Sequence, residues 1–334
     1  LTDRRRAHPL RIALGVAIGV VFLYCLLGIL VTGPVVVRPG EVAIDAGASP
    51  ERLRASVAKL CGELSPRSFR HVENLDLAAD WIAQEFDRAG LEVELQDYQL
   101  RDGRFRNVIG VRRSSRGVAG ARVIGAHYDA FREYPGADDN ASGVAVLLEL
   151  VRTLPPQDPR GDQYFVAFST EEPPFFGSEQ MGSHVFAESL VRRGVEVDLM
   201  VALDLVGYYS DRPRSQRFPL PGLSWLYPDA GDFVAVVGDL RSGHWLRQVK
   251  RQLRSAREIP VHSFRAPEST GVNESDHLSF RRLGLPGVLV TDTAFMRYPH
   301  YHTPDDTPEK LDYERMAHLV EALHTLFVDP SASD

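Results

Sequence analysis

"ARVIGAHYDAFREYPGADDNASGVAVLLELV", Ala121 to Val151, decides the fold. Its opening "ARVIGAHYD" is a short apolar run that ends on a histidine and an aspartate and reads as a buried strand. Its close belongs to a segment, Gly143 to Leu154, that reads as a helix buried in a core. Between them lies "PGADDNASG", Pro135 to Gly143, with two aspartates and an asparagine among glycines and small residues. Carboxylates packed this densely against a buried helix repel one another and lose hydration unless something compensates them.

Strand and helix signals alternate outward from this unit. Ser49 and Pro50 open a helix, with an N-cap followed by proline in the first turn. "DLAADWIAQEFDRAG", residues 76–90, keeps helical spacing, and Gly90 is its expected stop. "LEVELQDYQL" alternates as a strand does, while "RNVIGV", "QYFVAFST" and "VDLMVALDLVG" are buried-strand runs. Later come a helix near 241–256, a strand near 260–264, a short helix after Ser275, the strand "GVLVTD" and a final helix over 308–327. The alternation predicts an α/β fold, a mostly parallel central sheet with helices on both faces.

The composition suits one large domain with a substantial core: 334 residues, 44% apolar and 25% charged. The net charge of -7 is spread along the chain, with no basic patch of the kind nucleic acid requires, so no nucleic-acid partner is expected. Of two cysteines, Cys25 lies in the apolar N-terminal run and Cys61 stands alone, so no disulfide is expected within the outer domain. From Ile12 to Val31 there is no charge, and twenty helical residues span roughly 30 Å, a bilayer core. Arg4, Arg5, Arg6 and Arg11 precede this run. The positive-inside rule therefore puts the N-terminus in the cytoplasm and the remainder outside, in the periplasm or extracellular space. The length of the run and the proline in "VTGP" favour an uncleaved anchor in the cytoplasmic membrane over a cleaved signal peptide. The expected organisation is a basic cytoplasmic tail (1–11), a transmembrane anchor (12–31), a linker (32–49), an outer domain (50–328) and a short tail (329–334).

The strands end on chemistry. "VIGAHYD" ends at His127 and Asp129, "VAFSTEE" at Glu171 and Glu172, and "VALDLVG" carries Asp204. Sites in open α/β sheets form outside the carboxyl ends of the strands, so these residues and Asp138 or Asp139 are expected at one rim. Histidine with carboxylates and no thiolate suits zinc, with manganese or cobalt as possible substitutes. The chain has neither the G-x-S-x-G elbow of serine hydrolases nor the H-E-x-x-H helix of other zinc proteases.

With "YPHYHTPDDTPEKLD", residues 298–312, the pattern resembles the co-catalytic di-zinc aminopeptidases, metallopeptidase family 28. Its members include bacterial leucyl aminopeptidases and glutamate carboxypeptidases, with glutaminyl cyclases as relatives. The matching stretches are "GAHYD", "PGADDNASG", "STEE", "ALDLVGY", "ESDH" and "YHTPDDT", in family order over residues 50–328. The resemblance implies a peptide-cleaving enzyme with two zinc ions. Asp139 would bridge them, with His127, Glu172, Asp204 and His302 as terminal ligands and Asp129 steadying His127. Glu171 would be the general acid/base. Spacing alone leaves Asp138 against Asp139, Glu171 against Glu172, and His300 against His302 open; the resemblance makes those choices. Asp138 and Asn140 are expected to hold the turn.

The proline- and aromatic-rich segment Tyr208–Phe233 is expected to form a lid or pocket wall, with Tyr208, Phe218 and Trp225 as its pocket residues. His277 is expected to be structural, and His71, His184, His244, His262, His318 and His324 structural or exposed. The leading expectation is a membrane-anchored exopeptidase acting on the N-termini of peptides. Its alternatives are a cyclase-like acyltransferase and a non-catalytic receptor-like outer domain.

Overall fold

Short runs of β-branched and aromatic residues build one eight-stranded sheet in the computed structural model, which describes residues 7–36, 46–116, 120–219, 222–256, 259–270, 272 and 274–328. Arg4, Arg5 and Arg6, half of the expected linker (37–45) and the tail at 329–334 lie outside the described residues. In chain order the elements are α1 (Ala7–Thr32), α2 (Pro50–Cys61), α3 (Val72–Arg88), β1 (Glu92–Leu100), β2 (Gly103–Arg112), β3 (Ala121–His127), α4 (Gly143–Thr153), β4 (Gln163–Phe168), α5 (Gly182–Arg192), β5 (Val197–Leu203), β6 (Val234–Asp239), α6 (Gly243–Ser255), β7 (Val261–Ala266), α7 (His277–Arg282), β8 (Val288–Thr291) and α8 (Tyr313–Phe327).

The strand order is β1-β2-β4-β3-β5-β8-β6-β7. The centre, β4-β3-β5-β8, is parallel, as is β6-β7. The pairs β1-β2, β2-β4 and β6-β8 are antiparallel, so the sheet is mixed. Side chains of the central strands alternate between two cores. In β3, Ile124 and Ala126 enter the core shared with α2, α3, α4, α6 and α8, while Val123 enters the core beneath α5 and α7. Phe165 and Ala167 of β4 repeat the split against Tyr164, Val166 and Phe168. A strand buried on both faces has no polar side, which is why these runs are continuously apolar.

Several helices differ from expectation: α5 is not among the expected elements, and α3 starts at Val72, ahead of residue 76. The last is not continuous from Pro308: a single tight turn over Pro308–Lys310 precedes it, and α8 starts only where the Asp312 carboxylate accepts the Arg315 N–H at 3.0 Å. At the other end, α1 extends beyond the apolar run on its N-terminal side, and its window Gly15–Thr32 is long and apolar enough to cross a membrane.

The arrangement places the site. β3 pairs in parallel with both β4 and β5, with His127 opposite Phe168 and Gly125 opposite Ala202. The chain segments leaving the carboxyl ends of all three strands therefore emerge side by side.

Candidate metal centre

The acidic turn is held from three directions. Arg67, fully buried, donates to the carbonyls of Tyr128 (2.8 Å), Pro135 (3.1 Å), Gly136 (3.0 Å) and Leu60. Asp306 accepts from the backbone N–H groups of Asp138 (2.8 Å) and Asp139 (3.2 Å) and from the Tyr298 hydroxyl (2.8 Å). Asn140 donates to Leu203 O at 2.8 Å and accepts from Gly143 N–H, which ties the turn to the end of β5. Gly136 sits at φ 59°, where a side chain would also press on Ala130 and the Asp139 carbonyl.

So held, the two aspartates part company. Asp138 Oδ1 accepts the Gly207 N–H at 2.8 Å and faces away from the histidines. Asp139 faces two imidazoles: its Oδ1 lies 3.4 Å from His127 Nε2 and its Oδ2 lies 3.0 Å from His302 Nε2. Asp204 joins the first histidine, with Oδ1 3.4 Å from His127 Nε2. Glu172 joins the second, with Oε2 3.4 Å from His302 Nε2. Two three-residue clusters result, His127–Asp139–Asp204 and Asp139–Glu172–His302, and in each the donor atoms lie within 4.8 Å of one another. Asp139 belongs to both. Glu171 belongs to neither, although its carboxylate reaches to 3.9 Å from His127. Asp129 lies behind His127, with Oδ1 3.5 Å from Nδ1, and accepts the backbone N–H groups of Glu171 and Glu172. Rings fix His302 on both sides: Phe131 stacks at 4.0 Å and Tyr301 at 3.9 Å. His300 packs against Tyr298 instead.

Burial dominates the electrostatics. It raises Glu171 well above the usual carboxylate range and Glu172 to about 8, the latter reinforced by Asp139. Burial also works against protonation of His302, yet hydrogen bonds with Asp139 and Glu172 raise it to about 10. For Asp139 the two imidazoles outweigh burial and lower its pKa. Glu172 Oε1 is buried without a hydrogen-bond partner. Two imidazoles, three carboxylates and a free buried oxygen, with no thiolate, form a donor set that fits a pair of borderline divalent cations.

A model of peptidase family M28 matches residues 107–327. The chain belongs to this family. It is 43% identical over 290 residues to the uncharacterized protein YfbL of Escherichia coli, covering 84% of this chain and 88% of that one. It is 29% identical over 197 residues to the aminopeptidase YwaD of Bacillus subtilis, covering 58% of this chain and 37% of that one. Against a probable leucine aminopeptidase of Arthroderma otae the identity is 27%, covering 58% of this chain and 49% of that one. The chain thus spans half or less of the length of these two aminopeptidases. The fold matches the solved structure of a zinc aminopeptidase from Bacillus subtilis with a TM-score of 0.68, at 14% identity and covering 87% of this chain and 98% of that one. It also matches a Bacteroides thetaiotaomicron glutaminyl cyclase with a TM-score of 0.62, at 17% identity and covering 83% and 97%.

In this M28 peptidase the clusters open into a cavity of about 290 Å³ whose far walls are apolar, among them Phe218, Leu223, Tyr227, Phe233 and Phe264. Of the three expected pocket residues, only Phe218 lines it. Tyr208 packs its ring on Tyr298 at 4.7 Å and gives its N–H to Asp292. Trp225 is 81% exposed and meets Tyr24 of α1, away from the cavity. His262, expected to be structural or exposed, lines the cavity from β7, and burial lowers its pKa to about 4. His277 is buried with Nε2 2.9 Å from Val272 O, a structural position. Arg67, Asp306 and Asp292 were missed by sequence reasoning. They lie far along the chain from the residues they hold, and the only local signal was the second aspartate of "PDDT".

Proposed function

We propose that the chain is a membrane-anchored, zinc-dependent aminopeptidase that releases N-terminal residues from peptides. The observation that carries this reading is the sharing of Asp139 between two donor clusters while the buried Glu171 stands beside both and belongs to neither. Asp139 would bridge two zinc ions, His127 and Asp204 completing one site and Glu172 and His302 the other. When bound, such a pair polarises a scissile carbonyl and lowers the pKa of an attacking water toward 7.

The protein's own contribution is positioning and proton transfer. Glu171, its proton affinity raised by burial, takes the proton of the attacking water on its carboxylate and returns it to the leaving amine. Asp129 fixes the His127 ring through Nδ1 and, by holding the backbone of Glu171 and Glu172, sets base and ligand together. The apolar far wall, with Phe218 and Phe233, would receive the side chain of the first residue, which favours large apolar N-terminal residues. The charge-free run Ile12–Val31 within α1 supports a single-pass anchor, with the cationic N-terminus inside and the domain outside.

The test is hydrolysis by the full chain, in detergent, of short peptides with free or acetylated N-termini, with and without chelator. Chelator-sensitive release of the first residue from free peptides alone supports the reading. Cleavage that ignores acetylation replaces it with carboxypeptidase or dipeptidase chemistry. Metal binding without any cleavage moves the assignment to a cyclase-like transferase.

A further inference from the structure

The apolar helix α1 is more than a tether: its outer end is built into the domain. Its last carbonyls are clamped. Thr32 O accepts from Lys250 Nζ at 2.8 Å and from Ser263 Oγ at 2.6 Å, and Leu30 O accepts from Arg265 Nε at 3.0 Å. One turn deeper, Leu226 rests at Gly28, where any side chain would meet its Cδ2 at 3.3 Å. Deeper again, the Tyr24 hydroxyl donates to Gly222 O at 3.2 Å, and its ring lies 6.0 Å from that of Trp225. The turn Leu223–Leu226 thus descends along α1 while remaining part of the domain.

The helix therefore serves as a depth scale. Tyr24 lies seven residues before Val31, the end of the charge-free run, or about 10 Å at 1.5 Å per residue. A side chain level with Tyr24 is therefore below the headgroups, among the acyl chains of the outer leaflet. Trp225 is 81% exposed, the highest exposure of any large apolar side chain of the catalytic domain among the described residues. Level with the top of α1, the charge changes sign. Arg265 reaches Leu30, and the Arg247 side chain lies 3.5 Å from the place where a Gly33 side chain would begin. Helix α6 exposes Arg247, Arg251 and Arg254 and carries no acidic residue, in a chain of net charge -7.

We propose that the Leu223–Leu226 turn is a membrane-docking element, with Trp225 seated in the outer leaflet beside α1 and with Arg247 and Arg265 among anionic phospholipid headgroups above it. This rests on the reading of α1 as a membrane span. Its consequence reaches the site: Leu223 and Tyr227, on either side of Trp225, line the cavity above the donor clusters. Ser263, which binds the end of α1, lines it too. Docking puts the pocket wall at the lipid surface, where peptides with an apolar N-terminal residue concentrate.

The experiment uses the full chain with Trp81→Phe and Trp245→Phe, leaving Trp225 as sole tryptophan, in phosphatidylcholine–phosphatidylglycerol vesicles brominated near the headgroups or near the bilayer centre. A wild-type and Trp225→Phe pair gives the same reading by difference if the double substitution fails to fold. Bromines near the bilayer centre are expected to quench Trp225 at least as strongly as those near the headgroups, because about 10 Å below the boundary lies nearer the midplane of a core roughly 30 Å thick. Trp225→Phe is expected to leave hydrolysis of short soluble peptides unchanged. A chain that resists alkaline extraction from the vesicles while Trp225 stays unquenched and open to acrylamide overturns the docking and leaves the anchor standing. A chain extracted by alkali removes both. Quenching indifferent to removal of phosphatidylglycerol overturns the headgroup role of the arginines.

Discussion

Replacing Asp306 tests whether the centre is built by residues that never touch a ligand. Its carboxylate is 2% exposed and accepts the N–H groups of Asp138 and Asp139 and the Tyr298 hydroxyl. In Asp306→Ala all three buried donors lose their acceptor, at about 1–3 kcal/mol each. Part of that is returned, because burial already disfavours the Asp306 charge and lifts its pKa to about 6. A net destabilisation of about 3–5 kcal/mol follows, a fall in Tm on the order of 10 °C for a domain of this size. The more telling quantity is zinc affinity, because the backbone that Asp306 holds carries the shared carboxylate of Asp139. Loss of an outer partner typically lowers metal affinity about 10–100-fold. Asp306→Asn keeps one acceptor oxygen but turns an amide N–H toward the other donor, so it should fall between wild type and alanine. Calorimetric zinc titration and thermal melts of both variants give the two numbers. Wild-type zinc affinity in a folded Asp306→Ala protein would refute the reasoning, whatever its Tm.

Glu171→Gln is expected to keep the metal content of the wild type, measured by elemental analysis, and to lose about 10²–10⁴-fold in kcat, because its carboxylate stands outside both clusters. Asp139→Asn should lose both metals together, whereas Asp138→Asn should retain them, since Asp138 binds Gly207 N–H instead of an imidazole. In the metal-stripped chain, burial raises Glu172 to about 8 and Asp276 to about 7, so the folded state holds protons that the unfolded chain releases near pH 4. Their contribution is therefore full below about pH 4 and is lost progressively as pH rises from there through about 7–8: Tm of the stripped chain should fall across that whole window, and added zinc should flatten the fall. Phe218→Ala should raise KM for peptides with large apolar first residues more than for alanyl peptides, because Phe218 lines the cavity wall.

Much of this was legible in the sequence because a strand buried on both faces leaves an unmistakable apolar run, and the acids at its end stand out. That signal located the rim and its residue types. It did not choose Asp139 over Asp138. Adjacent residues share every local property, and the choice is made by Gly136, by Arg67, and by Asp306, 168 positions from the Asp138 N–H it binds. β6 was not read as a strand at all, and its antiparallel pairing with β8 was likewise invisible, because it depends on how distant connections run. The expected lid failed in part for a similar reason. Trp225 and Phe218 are equally aromatic in one segment, and only the packing of that segment between α1 and the cavity sends one outward and the other in.

The buried carboxylates around the rim divide by what completes them. Asp129 takes two backbone N–H groups, Asp138 one, Asp292 those of Tyr208 and Ala294, and Asp306 those of Asp138 and Asp139. Arg297, buried nearby, counters the charge of Asp292. These outer acids are structural anchors that hold the backbone of the rim. Among the described residues, the carboxylates of Asp139, Glu172 and Asp204 receive no backbone N–H, only imidazole contacts. Burial with so few donors is costly for an ordinary acid. It is the arrangement a cation pair requires, since every lone pair given to the backbone is one lost to the metal. The fold thus uses one layer of acids to fix the chain and reserves the next for chemistry.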